Sequence, residues 1–118
     1  MNNKEKSKIK KYLNLAFQNH QKNNFLAAEN IYKKILEIEP NHFESNFYLG
    51  TLFLQIKKFN LAESLLQKAL IINPHHSMTH NNIGSMFREL GEYQKATLHY
   101  EKAVKINPNY AEAFNNLG

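Results

Sequence analysis

The chain has 118 residues, enough for one ordinary domain, and its hydrophobic fraction of 42% suits a folded protein. It has no cysteine, which excludes disulfides and thiolate catalysis, and it shows neither a membrane-spanning apolar run nor a secretory signal, so a cytoplasmic location is expected. The net charge is +5, but residues 1–11 alone carry +4, so the rest is nearly neutral and no basic face for nucleic acid is expected.

The first predicted element is a basic N-terminal head, residues 1–8. Its lysines alternate with polar residues, as in Lys4-Glu5-Lys6-Ser7-Lys8. Charged terminal segments with little to bury are usually solvated, so we expect this head to be partly frayed.

From residue 9 onward the sequence repeats itself. Pro40, Pro74 and Pro108 are spaced by 34 residues, and each ends a similar run such as Ile71-Ile72-Asn73-Pro74. Other columns keep this period: Ala28, Ala62 and Ala96; Ala16, Gly50, Gly84 and Gly118; Phe25, Phe59 and Tyr93. A fixed period of this length is typical of helical repeat arrays.

The period divides the chain into repeat 1 (9–42), repeat 2 (43–76), repeat 3 (77–110) and a partial repeat 4 (111–118). Because the fourth repeat stops within its first helix, we expect this sequence to be a truncated fragment of a longer protein. An array that ends this way is expected to lack a capping helix and to associate through its C-terminal end.

Each repeat is predicted to hold two helices. In repeat 3 the apolar residues follow helical spacing, at Ile83, Met86, Phe87 and Leu90. Gly91 is expected to end this helix in the left-handed conformation, and Pro108 to end the second helix. The small residues Gly50 and Gly84 are expected to face Ala62 and Ala96, which would let the paired helices approach closely.

The pattern resembles the tetratricopeptide repeat (TPR) family over essentially the whole chain from Ile9. In repeat 3, the residues at the family's positions are His80, Ile83, Gly84, Phe87, Gly91, Tyr93, Ala96, Tyr100, Ala103 and Pro108. The resemblance implies an all-α, right-handed superhelical solenoid of antiparallel helix hairpins, with about seven helices. It departs at the family's favoured tryptophan, which is replaced by Tyr12, Asn46, His80 and Phe114.

In TPR arrays the first helix of each repeat lines a concave groove, which implies the position of a binding site. The residues predicted to bind a peptide there are Asn14, Phe17, Phe47, Tyr48, Asn81, Asn82, Ser85, Arg88, Asn115 and Asn116. The groove is expected to be aromatic towards its N-terminal side and polar towards its C-terminal side. An exposed aromatic patch with a polar rim usually marks a contact surface, although Phe17 can instead cap the first repeat.

One column of this face is rich in asparagine: Asn14, Tyr48, Asn82 and Asn116. A carboxamide both donates and accepts hydrogen bonds, so it can hold a peptide backbone whatever the side chains. The column is similar to the asparagine ladder in the TPR arrays of protein O-GlcNAc transferases, whose repeats resemble Asn115-Asn116-Leu117-Gly118. The alternative is that it reflects only the high asparagine content of the chain.

A second binding mode of the family, the carboxylate clamp for the acidic C-terminal tails of chaperones, is not expected. It requires lysine, arginine and asparagine at positions that hold Leu13, Phe17, Tyr48, Met78 and Asn82. None of the required basic residues is present.

No catalytic, cofactor or metal site is predicted. His76 and His80 are spaced i, i+4, but His76 precedes the helix and no carboxylate is near in sequence, so a pair of surface histidines is the preferred interpretation. We expect a protein that is not an enzyme.

Three functional hypotheses remain open at this point. The first is a protein-protein interaction scaffold that binds an extended peptide or a helix in the groove. The second is the N-terminal substrate-recognition arm of a larger transferase, such as a glycosyltransferase. The third is a self-associating structural module. The partner in the first is a protein or peptide, with neither nucleic acid nor membrane involved.

Overall fold

The computed structural model describes residues 1–118, which form seven α-helices and no strands. The helices are α1 (Asn3–Gln21), α2 (Phe25–Ile38), α3 (Phe43–Gln55), α4 (Phe59–Ile72), α5 (Ser77–Glu89), α6 (Tyr93–Ile106) and α7 (Ala111–Leu117). The prediction of an all-α chain with about seven helices is confirmed. None of these helices combines the length and the apolar character that crossing a membrane requires.

The chain divides into two compact units, an N-terminal unit (residues 1–68) and a C-terminal unit (residues 69–118). The N-terminal unit contains α1, α2, α3 and most of α4. The C-terminal unit contains the end of α4 together with α5, α6 and α7.

The basic head is helical, contrary to the expectation that it would be frayed. Helix α1 begins at Asn3, and Asn2 caps it by accepting a hydrogen bond from the Glu5 backbone N–H at 2.8 Å. The Glu5 carboxylate accepts the Asn2 backbone N–H in return, at 3.3 Å. This reciprocal capping box satisfies two backbone donors that a helix start leaves unpaired, and it stabilises the first turn of a lysine-rich helix.

Histidine caps the first helices of repeats 2 and 3. The Nδ1 atom of His42 accepts from the backbone N–H of Ser45 at 3.2 Å, and that of His76 accepts from Thr79 at 3.3 Å. The hydroxyl of Ser45 or Thr79 also lies 2.8 Å from the same Nδ1 atom. Since Nδ1 must be unprotonated to accept, both caps require a neutral imidazole.

The turn between the paired helices contains a left-handed residue at the same position of every repeat. Gly91 has φ +77°, which confirms the prediction for repeat 3, and Asn23 and Lys57 both have φ +62°. The second helix then ends at Ile38, Ile72 or Ile106, two residues before a proline. The left-handed turn reverses the chain between the paired helices, and the proline prevents the second helix from continuing.

In the N-terminal unit, α1, α2 and α3 pack around buried side chains that include Ala28, Tyr32, Ile35 and Leu49. A Cβ atom added to Gly50 on α3 would lie 2.9 Å from Cδ2 of Leu66 on α4. Glycine is therefore needed where these two helices cross.

In the C-terminal unit, α5 packs closely against α6. A Cβ atom on Gly84 would lie 2.7 Å from Cε1 of Tyr100, whose side chain is only 2% exposed. The atoms nearest the two helix glycines therefore belong to Leu66 and Tyr100, one helical turn beyond the expected Ala62 and Ala96. The alanines are buried as well, but the glycines face the larger side chains.

Candidate functional site

The predicted groove residues of the N-terminal unit include a pair of aromatic rings shared by α1 and α3. The rings of Phe17 and Tyr48 are 5.1 Å apart between centroids, at an interplanar angle of 54°. Phe17 is 36% exposed and Tyr48 is partly exposed. The two rings thus present an apolar patch that is partly open to solvent.

A buried tyrosine of α2 and the side chains hydrogen-bonded to it support this ring pair. Tyr48 stacks on Tyr32 of α2 with centroids 6.2 Å apart, and Tyr32 is fully buried. The Tyr32 hydroxyl donates to Nδ1 of His20 at 3.1 Å, and Nε2 of His20 donates to Oε1 of Gln55 at 2.6 Å. Burial, aided by Tyr48, raises the pKa of Tyr32, which keeps its hydroxyl protonated as a donor. The ring pair therefore rests on a network that joins three helices.

The expectation that Phe47 contributes to the exposed patch is wrong, because its side chain is only 5% exposed. Its ring stacks on Phe43, one turn earlier in α3, at 6.1 Å and contacts Tyr48 at 5.3 Å. Phe47 therefore supports Tyr48 from inside the unit. Asn14, one turn before Phe17 in α1, is exposed, and its side chain forms no hydrogen bond within the chain.

In the C-terminal unit, Asn81 is also buried, at 1% exposure, contrary to the expectation that it lines an open groove. Its Oδ1 atom accepts from Nδ2 of Asn116 at 3.0 Å, and its Nδ2 atom lies 3.5 Å from Oε1 of Glu112. The Asn116 carboxamide is also approached by Nη1 of Arg88 at 3.5 Å. These contacts tie α5 to α7, so Asn81 has a structural role.

The remaining predicted residues of this unit differ in how accessible they are. Ser85 accepts a hydrogen bond from the Tyr100 hydroxyl at 3.0 Å, and the Arg88 guanidinium lies 5.7 Å from the centre of the Tyr100 ring. Asn82 is partly buried and Asn115 is exposed. Of these two carboxamides, Asn115 is the one that is open to solvent.

A histidine pair that sequence reasoning missed joins α5 to α6. Nδ1 of His80 lies 3.4 Å from Nδ1 of His99, and the rings are stacked with centroids 5.6 Å apart. Nε2 of His80 donates to the carbonyl of Pro74 at 3.0 Å, so in the neutral pair its Nδ1 accepts and His99 donates. The two histidines are 19 residues apart and fall in different helices, so no local motif marks them.

The surroundings of this pair disfavour positive charge. Burial, followed by the charges of His80 and Lys102, lowers the pKa of His99 to about 4. Burial also lowers the pKa of His80, although the hydrogen bond to Pro74 opposes it. His76 and His80 do not form a chelating pair, because Pro74 and His99 occupy both ring nitrogens of His80. The expectation that both are surface histidines is wrong for His80, which is 6% exposed. No group of three or more metal-ligating side chains is present.

Comparison with known proteins agrees with the repeat pattern. Two models of the tetratricopeptide repeat match the sequence, one over residues 10–42 and the other over residues 84–118. The chain belongs to the tetratricopeptide-repeat family. Proteins with this fold are typically scaffolds for protein-protein interaction, and the repeats themselves are generally not catalytic. No curated protein sequence matches the chain.

Solved structures show the same fold. The O-GlcNAc transferase of Thermobaculum terrenum (a point variant) is 26% identical, with a TM-score of 0.93, over 99% of this TPR chain and 22% of the transferase. The first TPR of Spaghetti, bound to an HSP90 peptide, is 22% identical with a TM-score of 0.88, over 94% of this chain and 88% of that one. The Arabidopsis OM64 TPR domain is 17% identical with a TM-score of 0.89, over 94% and 92% of the two chains. The chain thus spans about a fifth of the length of the transferase.

Proposed function

We propose that this TPR chain binds an extended peptide, and that the exposed ring pair of Phe17 and Tyr48 is the main contact surface. The observation that carries the proposal is that the pair lies beside Asn14, whose side chain has no hydrogen-bonding partner within the chain. Apolar surface with a polar group at its edge is the usual composition of a peptide contact.

The ring pair suits an apolar side chain of the ligand. Its support by Tyr32, His20 and Gln55 holds the rings in place before binding, so little side-chain entropy is lost when a ligand arrives. Aromatic residues held in this way are those that dominate binding energies in interfaces. Phe47 assists by packing against Tyr48 from the interior.

Asn14 suits the backbone of the ligand. Its carboxamide can donate to a peptide carbonyl and accept from a peptide N–H at the same time. An extended peptide has these groups available, whereas a helical ligand has already satisfied most of them internally. For this reason we favour an extended peptide over a helix.

We propose that the asparagine ladder is limited to part of the column. Asn116 bonds to Asn81, and Tyr48 belongs to the ring pair, so in the N-terminal unit the candidate member is Asn14. We propose that the exposed Asn115 and Arg88 provide polar ligand contacts of their own in the C-terminal unit.

The ligand is proposed not to be an acidic C-terminal tail. The Spaghetti domain is bound to an HSP90 peptide of sequence SRMEEVD, but its 22% identity to this chain shows only a shared fold. None of the positions where the carboxylate clamp needs a basic residue holds one in this chain, since they are occupied by Leu13, Met78 and Asn82. We expect the SRMEEVD peptide to bind no better than its scrambled version.

Selection of peptides from a random display library, followed by affinity measurements, tests the proposal. We expect Phe17→Ala and Asn14→Ala to weaken the selected peptides about tenfold each. The matched controls on α2 are Leu26→Ala, which removes a leucine that is 72% exposed, and Asn30→Ala, which removes an exposed asparagine. The proposal fails if the controls weaken binding as much, or if neither site variant changes it.

A second proposal is that the chain is the substrate-recognition arm of a transferase. The observation in its favour is the similarity to the O-GlcNAc transferase at 26% identity. An antibody raised against the chain should then detect a product much larger than 13.8 kDa in the source cells, and the isolated product should transfer a glycosyl group. A product of about the size of the chain would exclude this proposal.

A third proposal is self-association through the C-terminal unit. The exposed side chains of Leu98 on α6 and Phe114 on α7 favour it. Light scattering after size-exclusion chromatography should then show a mass that increases with concentration, and Leu98→Lys should reduce it. A monomer at high concentration would contradict the idea.

A further inference from the structure

We propose that the C-terminal unit carries a second binding site, a cationic cleft that takes an acidic peptide segment. The cleft has a volume of ≈ 760 Å³. Its lining consists of Pro74, His75, His80, Lys102, Lys105 and Ile106. These residues come from the segment before α5, from α5 itself and from the last turns of α6, so the site does not involve Phe17, Tyr48 or Asn14. It is independent of the function proposed above.

The positive charge of the cleft is not neutralised within the chain. Lys102 and Lys105 are both exposed and form no ion pair. Glu101 is placed i, i+4 to Lys105, where ion pairs commonly form on a helix, but it forms no ion pair with either lysine. No acidic side chain lines the cleft. Lys102 and Lys105, one turn apart on α6, therefore line the same cleft as the exposed His75.

Lys105 also interacts with the dipole of its own helix. It lies in the last turn of α6, where a basic side chain interacts favourably with the negative end of the helix dipole. Lys102 lies in the preceding turn, where this effect has largely decayed. The interaction with the helix dipole thus explains the position of Lys105. The charge of Lys102 remains available to a ligand.

The cleft wall is held in place by His80. This side chain is 6% exposed, and its Nε2 atom donates to the carbonyl of Pro74 at 3.0 Å. The hydrogen bond ties α5 to the segment that precedes it, so the wall does not need to form when a ligand binds. Pro74 and Ile106 add an apolar strip beside the lysines.

The combination of charge and apolar surface points to a peptide with carboxylate side chains. In an extended peptide, residues i and i+2 lie about 7 Å apart on one side, within reach of flexible lysine side chains whose Cα atoms differ by about 4.5 Å in rise. Residue i+4 continues on the same side and can place an apolar side chain on the strip. The fitting pattern is acidic, any, acidic, any, apolar.

The probe for the experiment is a fluorescein-labelled peptide of sequence Glu-Ser-Glu-Ser-Leu, blocked at its C-terminus, and the measurement is fluorescence anisotropy. We expect saturable binding below about 1 mM, weakened at least tenfold by the Lys102→Glu/Lys105→Glu variant. The affinity of the Lys102→Gln/Lys105→Gln variant, which adds no repulsion, should lie between those of the native chain and the glutamate variant. The charge-matched control is Lys4→Glu/Lys6→Glu on α1, which should leave the affinity within about twofold.

Four results with the peptides and the variants would each overturn the proposal. They are a lack of binding at about 1 mM, an equal loss in the control variant, equal binding of Gln-Ser-Gln-Ser-Leu, and no change in the Lys102 and Lys105 variants. Inorganic phosphate serves as a competitor. If phosphate displaces the peptide at equal concentration, the cleft is a general anion site and the peptide assignment is wrong.

Discussion

Adding one methyl group to Gly84 tests the close approach of α5 and α6. Replacement by alanine removes the entropic penalty of glycine in a helix interior, a gain of about 1 kcal/mol. The new Cβ atom would lie 2.7 Å from Cε1, 2.8 Å from Cδ1 and 3.1 Å from Cζ of Tyr100. The sign of the effect depends on whether that ring can move.

The ring of Tyr100 has little freedom to move. It is 2% exposed, and its hydroxyl donates to Ser85 at 3.0 Å. Overpacking a core usually costs about 1–3 kcal/mol, and a ring held at both ends should fall at the upper limit. This steric cost is reduced by the gain of about 1 kcal/mol from removing glycine. We therefore expect Gly84→Ala to lower the free energy of unfolding by about 2 kcal/mol, which lowers the Tm by about 8 °C.

Urea denaturation followed by circular dichroism measures this change, and a double-mutant cycle isolates its cause. Tyr100→Val removes the Cδ1, Cε1 and Cζ atoms, so on that background Gly84→Ala should be neutral or stabilising by up to about 1 kcal/mol. The coupling between the two substitutions should be about 2–3 kcal/mol. Equal destabilisation on both backgrounds, or none on the native one, would refute the steric explanation.

Other predictions concern the turns, the buried asparagine and the histidine pair. Lys57→Gly should raise the free energy of unfolding by about 1 kcal/mol, and Gly91→Ala should lower it by a similar amount, because both positions have positive φ; urea midpoints that move the opposite way would contradict this. Asn81→Ala should cost about 1–3 kcal/mol and speed hydrogen exchange in α7, since its partners on that helix lose a buried amide; unchanged exchange would show that α7 is held by other contacts. The pKa of His99 is about 4 in the folded chain and about 6.5 in the unfolded chain. The contribution of neutral His99 to the free energy of unfolding is therefore complete above about pH 6.5 and is lost as the pH falls from there towards 4. After allowance for its partial exposure we expect this loss to be about 1–2 kcal/mol; it should disappear from the pH dependence of stability in His99→Gln, and an NMR titration with a pKa near 6.5 would refute it.

The sequence by itself determined the helices and their repetition. Three prolines spaced by 34 residues mark the ends of the second helices, and Gly91 marks a turn whose left-handed conformation the structure confirms. These signals are readable because they depend on local backbone geometry: proline cannot continue a helix, and glycine adopts positive φ without strain. The turns at Asn23 and Lys57 adopt the same conformation without glycine, so there the repeat period carries the information.

The tertiary structure alone decided how deeply each side chain of the candidate site is buried. Helical periodicity places Phe17, Phe47 and Asn81 on the predicted groove face, yet only Phe17 is exposed. Phe47 is covered within the N-terminal unit, and Asn81 bonds to a residue 35 positions away on α7. A period defines the direction of a side chain from its own helix axis, whereas burial depends on which atoms of other helices meet it. These contacts involve residues that are distant in sequence, so no local pattern encodes them.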